Sequence, residues 1–300
     1  MHETSAVRAV LADWGTSKLR MWAWSGGTEI SAPVTDPRGM KFLAPADYPQ
    51  VLAEGLEKLS VPPGVPVLIC GMAGAAGGWQ EAGYLEAPLG LAELGAGACR
   101  VDLPERDVRI LPGVSTRSPT PDVMRGEETQ ILGLRGGAQT PLVCLPGTHS
   151  KWVALDEDRL TGFTTYMTGE LFEVVSQHSI LAKTLDEAWD ASDFRTAVDE
   201  ALADPVRVWQ AFFGLRASVV LGAGQAASSR ARLSGLLIGA ECAAARAQHG
   251  PGKITLIAGG AMAQAYDTAL RAAGFDVHLR DGEEVTRNGL IRAAQDIWRD

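Results

Sequence analysis

Short apolar runs that stop at glycine-rich or polar turns recur along the chain, and its second half interleaves them with longer stretches of helical spacing. Residues 7–12 are apolar and run into Asp13, the polar turn Gly15-Thr16-Ser17 follows, and residues 19–24 resume with alternating character. That pattern predicts a strand, a tight turn and a returning strand. Residues 65–70 read as a second buried strand, released into Gly71-Met72-Ala73-Gly74-Ala75-Ala76-Gly77-Gly78-Trp79. So many glycines mark a backbone that turns sharply or approaches something closely. Residues 122–134 have helical spacing in Val123, Gln130, Ile131 and Leu134 and predict a helix.

The motif then repeats. Residues 142–145 are an apolar strand, Pro146-Gly147-Thr148-His149-Ser150-Lys151 a polar turn, and residues 152–155 a returning strand. Helical segments follow at 170–185, 205–213, 233–247 and 285–298. Between the last two, residues 254–258 form a strand that stops at Gly259-Gly260 and opens a helix to about Arg271, and residues 276–279 are a short strand. Gly15 and Gly147 lie nearly half the chain apart, each in a Gly-Thr turn between apolar strands, so the pattern points to a diverged duplication of two α/β halves.

Composition narrows the function. The chain has 300 residues with 46% apolar and 21% charged, which is a globular composition with room for two domains. Lys+Arg of 27 against Asp+Glu of 36 leaves a net charge of -9, so binding of nucleic acid over a broad surface is excluded and any anionic ligand must be held locally. No window approaches 18 apolar residues and the N-terminus lacks a signal-peptide pattern, so a soluble, cytoplasmic protein without membrane contact is expected. Cys70, Cys99, Cys144 and Cys242 are widely spaced and read as reduced core residues rather than disulfide partners or metal ligands.

The turns themselves carry chemistry. Gly15, Thr16 and Ser17 direct backbone N–H groups and hydroxyls into one concavity suited to phosphate oxygens, with Lys18 and Arg20 within reach. Asp13, at the end of the strand, is placed to hold a hydrated Mg²⁺, and the set suits a nucleoside triphosphate. The P-loop pattern is absent, and Gly71, Gly74 and Gly77 run into Trp79 rather than an amphipathic helix, which excludes the dinucleotide fingerprint. Protein-kinase signatures are absent as well.

Asp13-Trp14-Gly15-Thr16-Ser17-Lys18-Leu19-Arg20 resembles the first phosphate motif of the superfamily of actin, sugar kinases and heat-shock chaperones. Gly147 and Thr148 sit where its second phosphate motif belongs, and residues 256–261, with Gly259, Gly260 and Ala261, resemble its adenosine motif. Pro146 before Gly147 departs from the pattern, which leaves Asp13 as the protein carboxylate for Mg²⁺. Within the superfamily, Gly71-Met72-Ala73-Gly74 and residues 123–130, 146–149, 167–171 and 233–241 resemble the 2-dehydro-3-deoxygalactonokinase family. The resemblance implies two actin-like (ribonuclease H-like) α/β domains, residues 1–138 and 139–300, with a nucleotide cleft between them. The chain would cross near Gln139, and the last helix is a candidate to pack back on the first domain.

Transfer of a γ-phosphoryl group to a hydroxyl needs a carboxylate to accept the proton, and Asp13, Glu127, Glu128 and Glu170 are candidates. Likeness of residues 126–130 to the G-D-x-x-A segment of carbohydrate kinases puts Glu127 in the base's position, while adjacent Glu128 points elsewhere on the helix to cap it or bind Arg125. The implied acceptor is a six-carbon 2-keto-3-deoxy acid phosphorylated on O6 by ATP. Its carboxylate calls for Arg125 or Lys151, with the loop at Gly71 and Met72 offering N–H groups and Trp79 an apolar wall, although each also reads as an ordinary surface or core residue. His149 either contacts the nucleotide or supports the turn. Alternatives left open are a kinase of 2-keto-3-deoxygluconate or an amino sugar on the same scaffold, and a non-catalytic ATP-binding sensor. A homodimer is left open too.

Overall fold

The computed structural model describes residues 6–137, 140–185, 189–222 and 226–298, and these divide into two compact α/β units. Unit 1 comprises residues 1–139, 155–162 and 282–300, and unit 2 comprises 140–154 and 163–281. The expected crossing at Gln139 lies outside the described residues.

In unit 1 the strand Ala9–Trp14 returns antiparallel as Leu19–Gly26, with Asp13 opposite Arg20 and Trp14 opposite Leu19. On its other edge Ala9–Trp14 pairs in parallel with Val67–Gly71, which pairs in parallel with Val108–Ile110. A strand buried on both faces has no polar side to alternate with, which is why Ala9 to Ala12 are all apolar. Val10, Ala12 and Trp14 pack with Tyr48, Val51 and Leu52 of the helix Tyr48–Lys58. The C-terminal helix Gly282–Ile297 also belongs to unit 1, where it lies along Ala9–Trp14 and crosses the helix Glu127–Gly133.

That crossing is backbone to backbone. A Cβ on Gly133 would fall onto the Val285 carbonyl, and one on Gly289 onto the Thr129 carbonyl. Neither carbonyl can swing aside as a side chain can, so Gly289→Ala is expected to cost at least the ~1–3 kcal/mol of core overpacking. A urea midpoint unchanged from the wild type would contradict the close approach.

One expected element divides in two. Residues 122–134 are not a single helix: Asp122–Met124 is a strand paired with Gly113–Thr116, and the helix starts only at Glu127. Val123, counted on the apolar helical face, is 51% exposed, whereas Met124 is buried, which is strand alternation. Gly126 at φ 106° makes the break. The expected helix 170–185 likewise ends at His178, and Ser179, extended at φ −110° and ψ 178°, accepts from the Leu181 N–H to start a separate 3₁₀ turn. Of the cysteines, all free, Cys70, Cys144 and Cys242 are buried, but Cys99 is only half-buried on a strand.

Unit 2 repeats the opening of unit 1. Leu142–Leu145 returns antiparallel as Ser150–Asp156, with Cys144 opposite Trp152, and pairs in parallel with Lys253–Ile257, itself parallel to Asp276–Arg280. Helices Ala191–Ala203 and Ala226–His249 pack on each other, and the latter contributes Ile238, Cys242 and Ala245 to the core around Trp152 and Leu256. No helix among the described residues is long and apolar enough to cross a membrane.

Candidate active site

Three elements of unit 1 bring chemistry to one end of its sheet: the first hairpin, the end of Val67–Gly71 and the start of the Glu127 helix. The hairpin turn is pinned from behind by residues 39–41. Met40 N–H donates to the Gly15 carbonyl at 3.0 Å and Lys41 N–H to that of Thr16 at 3.1 Å, while Thr16, Ser17 and Lys18 stay exposed. Asp13 pairs with the Arg20 guanidinium, which also donates to Glu283 of the C-terminal helix at 3.0 Å. The second Asp13 oxygen accepts from the Cys70 thiol at 3.9 Å. Gly71, at φ 89°, would bring a Cβ within 2.9 Å of the Trp14 carbonyl and 3.5 Å of the Asp13 carboxylate, and a Cβ on Gly126 would come within 3.7 Å of the Gly71 Cα. Glycine at 71 and 126 therefore lets the backbone turn beside Asp13.

The two adjacent glutamates have different surroundings. Glu128 is fully buried, both its oxygens accept from the Gly126 N–H at 2.9 and 2.7 Å, and Thr129 Oγ1 donates to it at 3.3 Å. Burial, then the neighbouring charge of Glu127, push its carboxyl up to about 8. Glu127 is only half-buried, and its carboxylate accepts from the Arg125 N–H at 3.1 Å.

The Glu128 shift is also a statement about stability. From about pH 4.5 to 8 the folded chain keeps a proton that the unfolded chain has released, so stability falls as pH rises through that window, by about 1.4 kcal/mol per pH unit within it. Glu128→Gln has no such proton to lose. The urea midpoint should fall further between pH 5 and pH 8 for the wild type than for the variant, which keeps the buried Glu241 carboxyl that burial also raises, and parallel curves would remove the assignment.

Arg125 stacks over the Tyr84 ring at 4.5 Å and donates from Nη2 to the Gly83 carbonyl at 2.8 Å. Its Nε and Nη1 are buried without a partner, an uncompensated cost that an acceptor reaching them would relieve. Met72 is half-buried in a short 3₁₀ turn, and Gly74 sits against Arg125. Trp79 turns inward instead, stacked on Tyr48 at 5.7 Å and edge-on to Trp14 at 6.2 Å.

In unit 2 the second hairpin rests on the start of the helix Thr168–His178. Gly169 leaves room for the Gly147 carbonyl, the Glu170 N–H donates to the Thr148 carbonyl at 2.9 Å, and His149 meets the Glu170 carboxylate at 2.5 Å. Thr148 is exposed, whereas Lys151 is 4% exposed within its strand. Gly259 and Gly260 open the helix Gly260–Ala272, and Gly260 at φ 58° has nothing within 4 Å of a built Cβ. A cleft of about 390 Å³ within unit 2 is lined by Gly147, Thr168, Gly169, Phe172, Ala261, Met262 and Tyr266, with Arg230 and Trp189 at its wall. Gly147 and Ala261 are thus brought to one cavity. Phe172 and Arg230, 5.2 Å apart as a cation–π pair, escaped the sequence reading because they come from separate helices with no motif of their own.

A Mg²⁺ site can be judged from the donors present. Among the described residues no group of three or more His, Cys, Asp or Glu could hold a metal ion alone. Mg²⁺ carried by nucleotide phosphates needs only one or two carboxylates, and Asp13 has an oxygen left by Arg20, so the residues fit that mode.

Two mixed α/β units, each opening on the same strand–turn–strand hairpin, define a two-unit α/β fold. The chain belongs to the 2-keto-3-deoxy-galactonokinase family, whose sequence model matches residues 13–293. A relative from Rhizobium meliloti (strain 1021), provisionally named 2-dehydro-3-deoxygalactonokinase DgoK1, is 42% identical over 98% of this chain and 99% of its own. The 2-dehydro-3-deoxygalactonokinase of Escherichia coli (strain K12) is 34% identical over 97% and 98%. A crystal structure from Sinorhizobium meliloti, provisionally named as the same kinase, superposes with a TM-score of 0.94 at 41% identity, covering 97% of this chain and all of that one. A kinase of this family implies ATP as the phosphoryl donor.

Proposed function

We propose that the chain transfers the γ-phosphoryl group of ATP to O6 of 2-dehydro-3-deoxy-D-galactonate, in the breakdown of galactonate. The observation that carries this reading is the unit 2 cleft, where the second hairpin at Gly147 and the helix start at Ala261 line one cavity of nucleotide dimensions. Gly259, Gly260 and Ala261 hold the adenosine, and Gly147 and Thr148 its phosphates. Gly15, Thr16, Ser17 and Lys18 are assigned phosphate contacts, and Asp13 would orient the hydration shell of Mg²⁺, which when bound would neutralise charge on the transferring group.

Glu127 is the base. A carboxyl that keeps its own proton at neutral pH has no capacity to accept another, which disqualifies Glu128 and leaves Glu127 as the carboxylate of this helix start. The O6 proton passes to Glu127 as the O6–phosphorus bond forms and the bond to ADP breaks. Arg125 is assigned the substrate carboxylate, because its buried Nε and Nη1 lack a hydrogen-bond partner, whereas Lys151 already has an interaction of its own. Gly71 and Met72 border the same end of the sheet, and Trp79 backs them through the aromatic cluster.

The test is coupled ADP release with ATP, Mg²⁺ and the galacto and gluco epimers of the 2-keto-3-deoxy acid. Turnover of the galacto acid at the higher kcat/KM is expected. Preference for the gluco epimer would reassign the substrate, and ADP release with neither would overturn the reading.

A further inference from the structure

Residues 233–241 resemble the kinase family closely, and of them Ser234, Leu237 and Ile238 line the unit 2 cleft. Two of their positions are explained by packing. A Cβ on Gly235 would fall onto the Phe194 carbonyl, and one on Gly239 would lie 2.8 Å from Ala201 Cβ and 2.9 Å from the Val198 carbonyl, so glycine lets helices Ala226–His249 and Ala191–Ala203 lie close.

Glu241, on the same helix, does something else. It is 3% exposed, and its carboxylate gathers donors from separate elements: Ser150 Oγ at 2.6 Å, Trp152 Nε1 at 2.7 Å, Tyr266 Oη at 2.8 Å and the Thr168 side chain. Ser150 ends the turn of the second hairpin. Thr168 starts the helix whose Gly169 supports Gly147, and Tyr266 stands on the helix that follows Gly259-Gly260. Thr168 and Tyr266 both line the cleft.

We infer that Glu241 is the positioning residue of the nucleotide site, holding the phosphate hairpin, the Thr168 helix start and the Tyr266 helix in their binding geometry before the nucleotide arrives. The inference rests on reading this cleft as the nucleotide site. Burying a carboxylate is costly, and a well-packed apolar side chain often serves stability as well or better. What an apolar side chain lacks is an acceptor that fixes four donors from three elements at once. Removing the carboxylate leaves those donors unpaired, and the elements bearing Gly147 and Ala261 lose their common anchor.

The experiment titrates ADP with Mg²⁺ into the full chain by calorimetry and measures KM for the sugar acid alongside. Glu241→Ala is expected to weaken ADP binding by about tenfold or more, with KM for the sugar acid within about twofold of wild type. Glu241→Gln should recover most of that loss, because its amide oxygen can accept from Ser150 and Trp152 while its NH₂ meets the Tyr266 and Thr168 hydroxyls. If Glu241→Ala does not fold, Tyr266→Phe and Ser150→Ala each remove a single donor and should weaken ADP by about threefold or more. Ala261→Trp fills the cleft and tests the underlying reading. If it binds ADP as the wild type does, the cleft is not the nucleotide site and the role of Glu241 falls with it. If Ala261→Trp loses ADP while the folded Glu241 or Tyr266 variants keep wild-type affinity, the cleft stands and the positioning role is overturned. Equal losses for ADP and sugar acid would also overturn it, since they mark a general structural defect.

Discussion

Glu127→Gln is expected to lose on the order of 10²–10⁴ in kcat, the range of a positioned general base, while ADP binding persists. The amide keeps the size of the side chain and can still accept the Arg125 N–H that the carboxylate now accepts at 3.1 Å, so the helix start should survive. What it cannot do is take a proton. Glu128→Gln should cost far less in turnover, because Glu128 is fully buried against the Gly126 N–H and already carries its proton at neutral pH. The two variants move different quantities: Glu127→Gln moves kcat and only weakens the pH dependence of stability, because burial still raises the Glu128 carboxyl once the neighbouring charge is gone, whereas Glu128→Gln removes that pH dependence and leaves kcat near wild type. Equal losses of kcat would mean that the integrity of the helix start matters rather than one carboxylate. A larger loss at Glu128 would shift the base by one residue.

The hairpins were legible because they are local: an apolar run, a polar turn and a returning run specify strand pairing without help from the rest of the chain. Asp13 at the first strand's end was legible for the same reason. Residues 122–134 were misread because Val123 and Met124 are compatible with either period, and only the positive φ at Gly126 and the pairing with Gly113–Thr116 decide between them. That the last helix packs back on the first half was an expectation from the sequence, but its backbone-to-backbone meeting with the Glu127 helix was not legible there. Gly133 and Gly289 look like tolerated helix glycines until their partners' carbonyls are in place. Glu241 was hidden in the opposite way, since a single acid on a long helix reads as a solvated face, whereas its four donors come from distant parts of the chain. Trp79, read either as substrate wall or as core, lies in the aromatic cluster with Trp14 and Tyr48, contacts that depend on three separate elements.

Asp13→Asn is expected to depress kcat by about 10²–10³-fold, in the range found when a single electrostatic contact to a developing charge is removed. Asp13 stands opposite Arg20 in the hairpin register, with one oxygen held by that guanidinium and the other, which meets the Cys70 thiol at 3.9 Å, proposed to take a water of Mg²⁺. Asparagine preserves the shape and removes the charge. Arg20 remains tied to Glu283, so the hairpin should stay folded and the melting temperature should move by no more than a few degrees. If the metal is held through water, the Mg²⁺ concentration for half-maximal rate should rise in this variant, and turnover should recover in part as Mg²⁺ is raised. Glu283→Gln provides the comparison, because it weakens the other side of the same guanidinium without touching the metal-facing oxygen. It should leave the Mg²⁺ requirement near the wild-type value. Wild-type turnover of Asp13→Asn at the same Mg²⁺ concentration would refute the metal role, and an equal rise in Mg²⁺ requirement for both variants would place the effect in the Arg20 pairing instead.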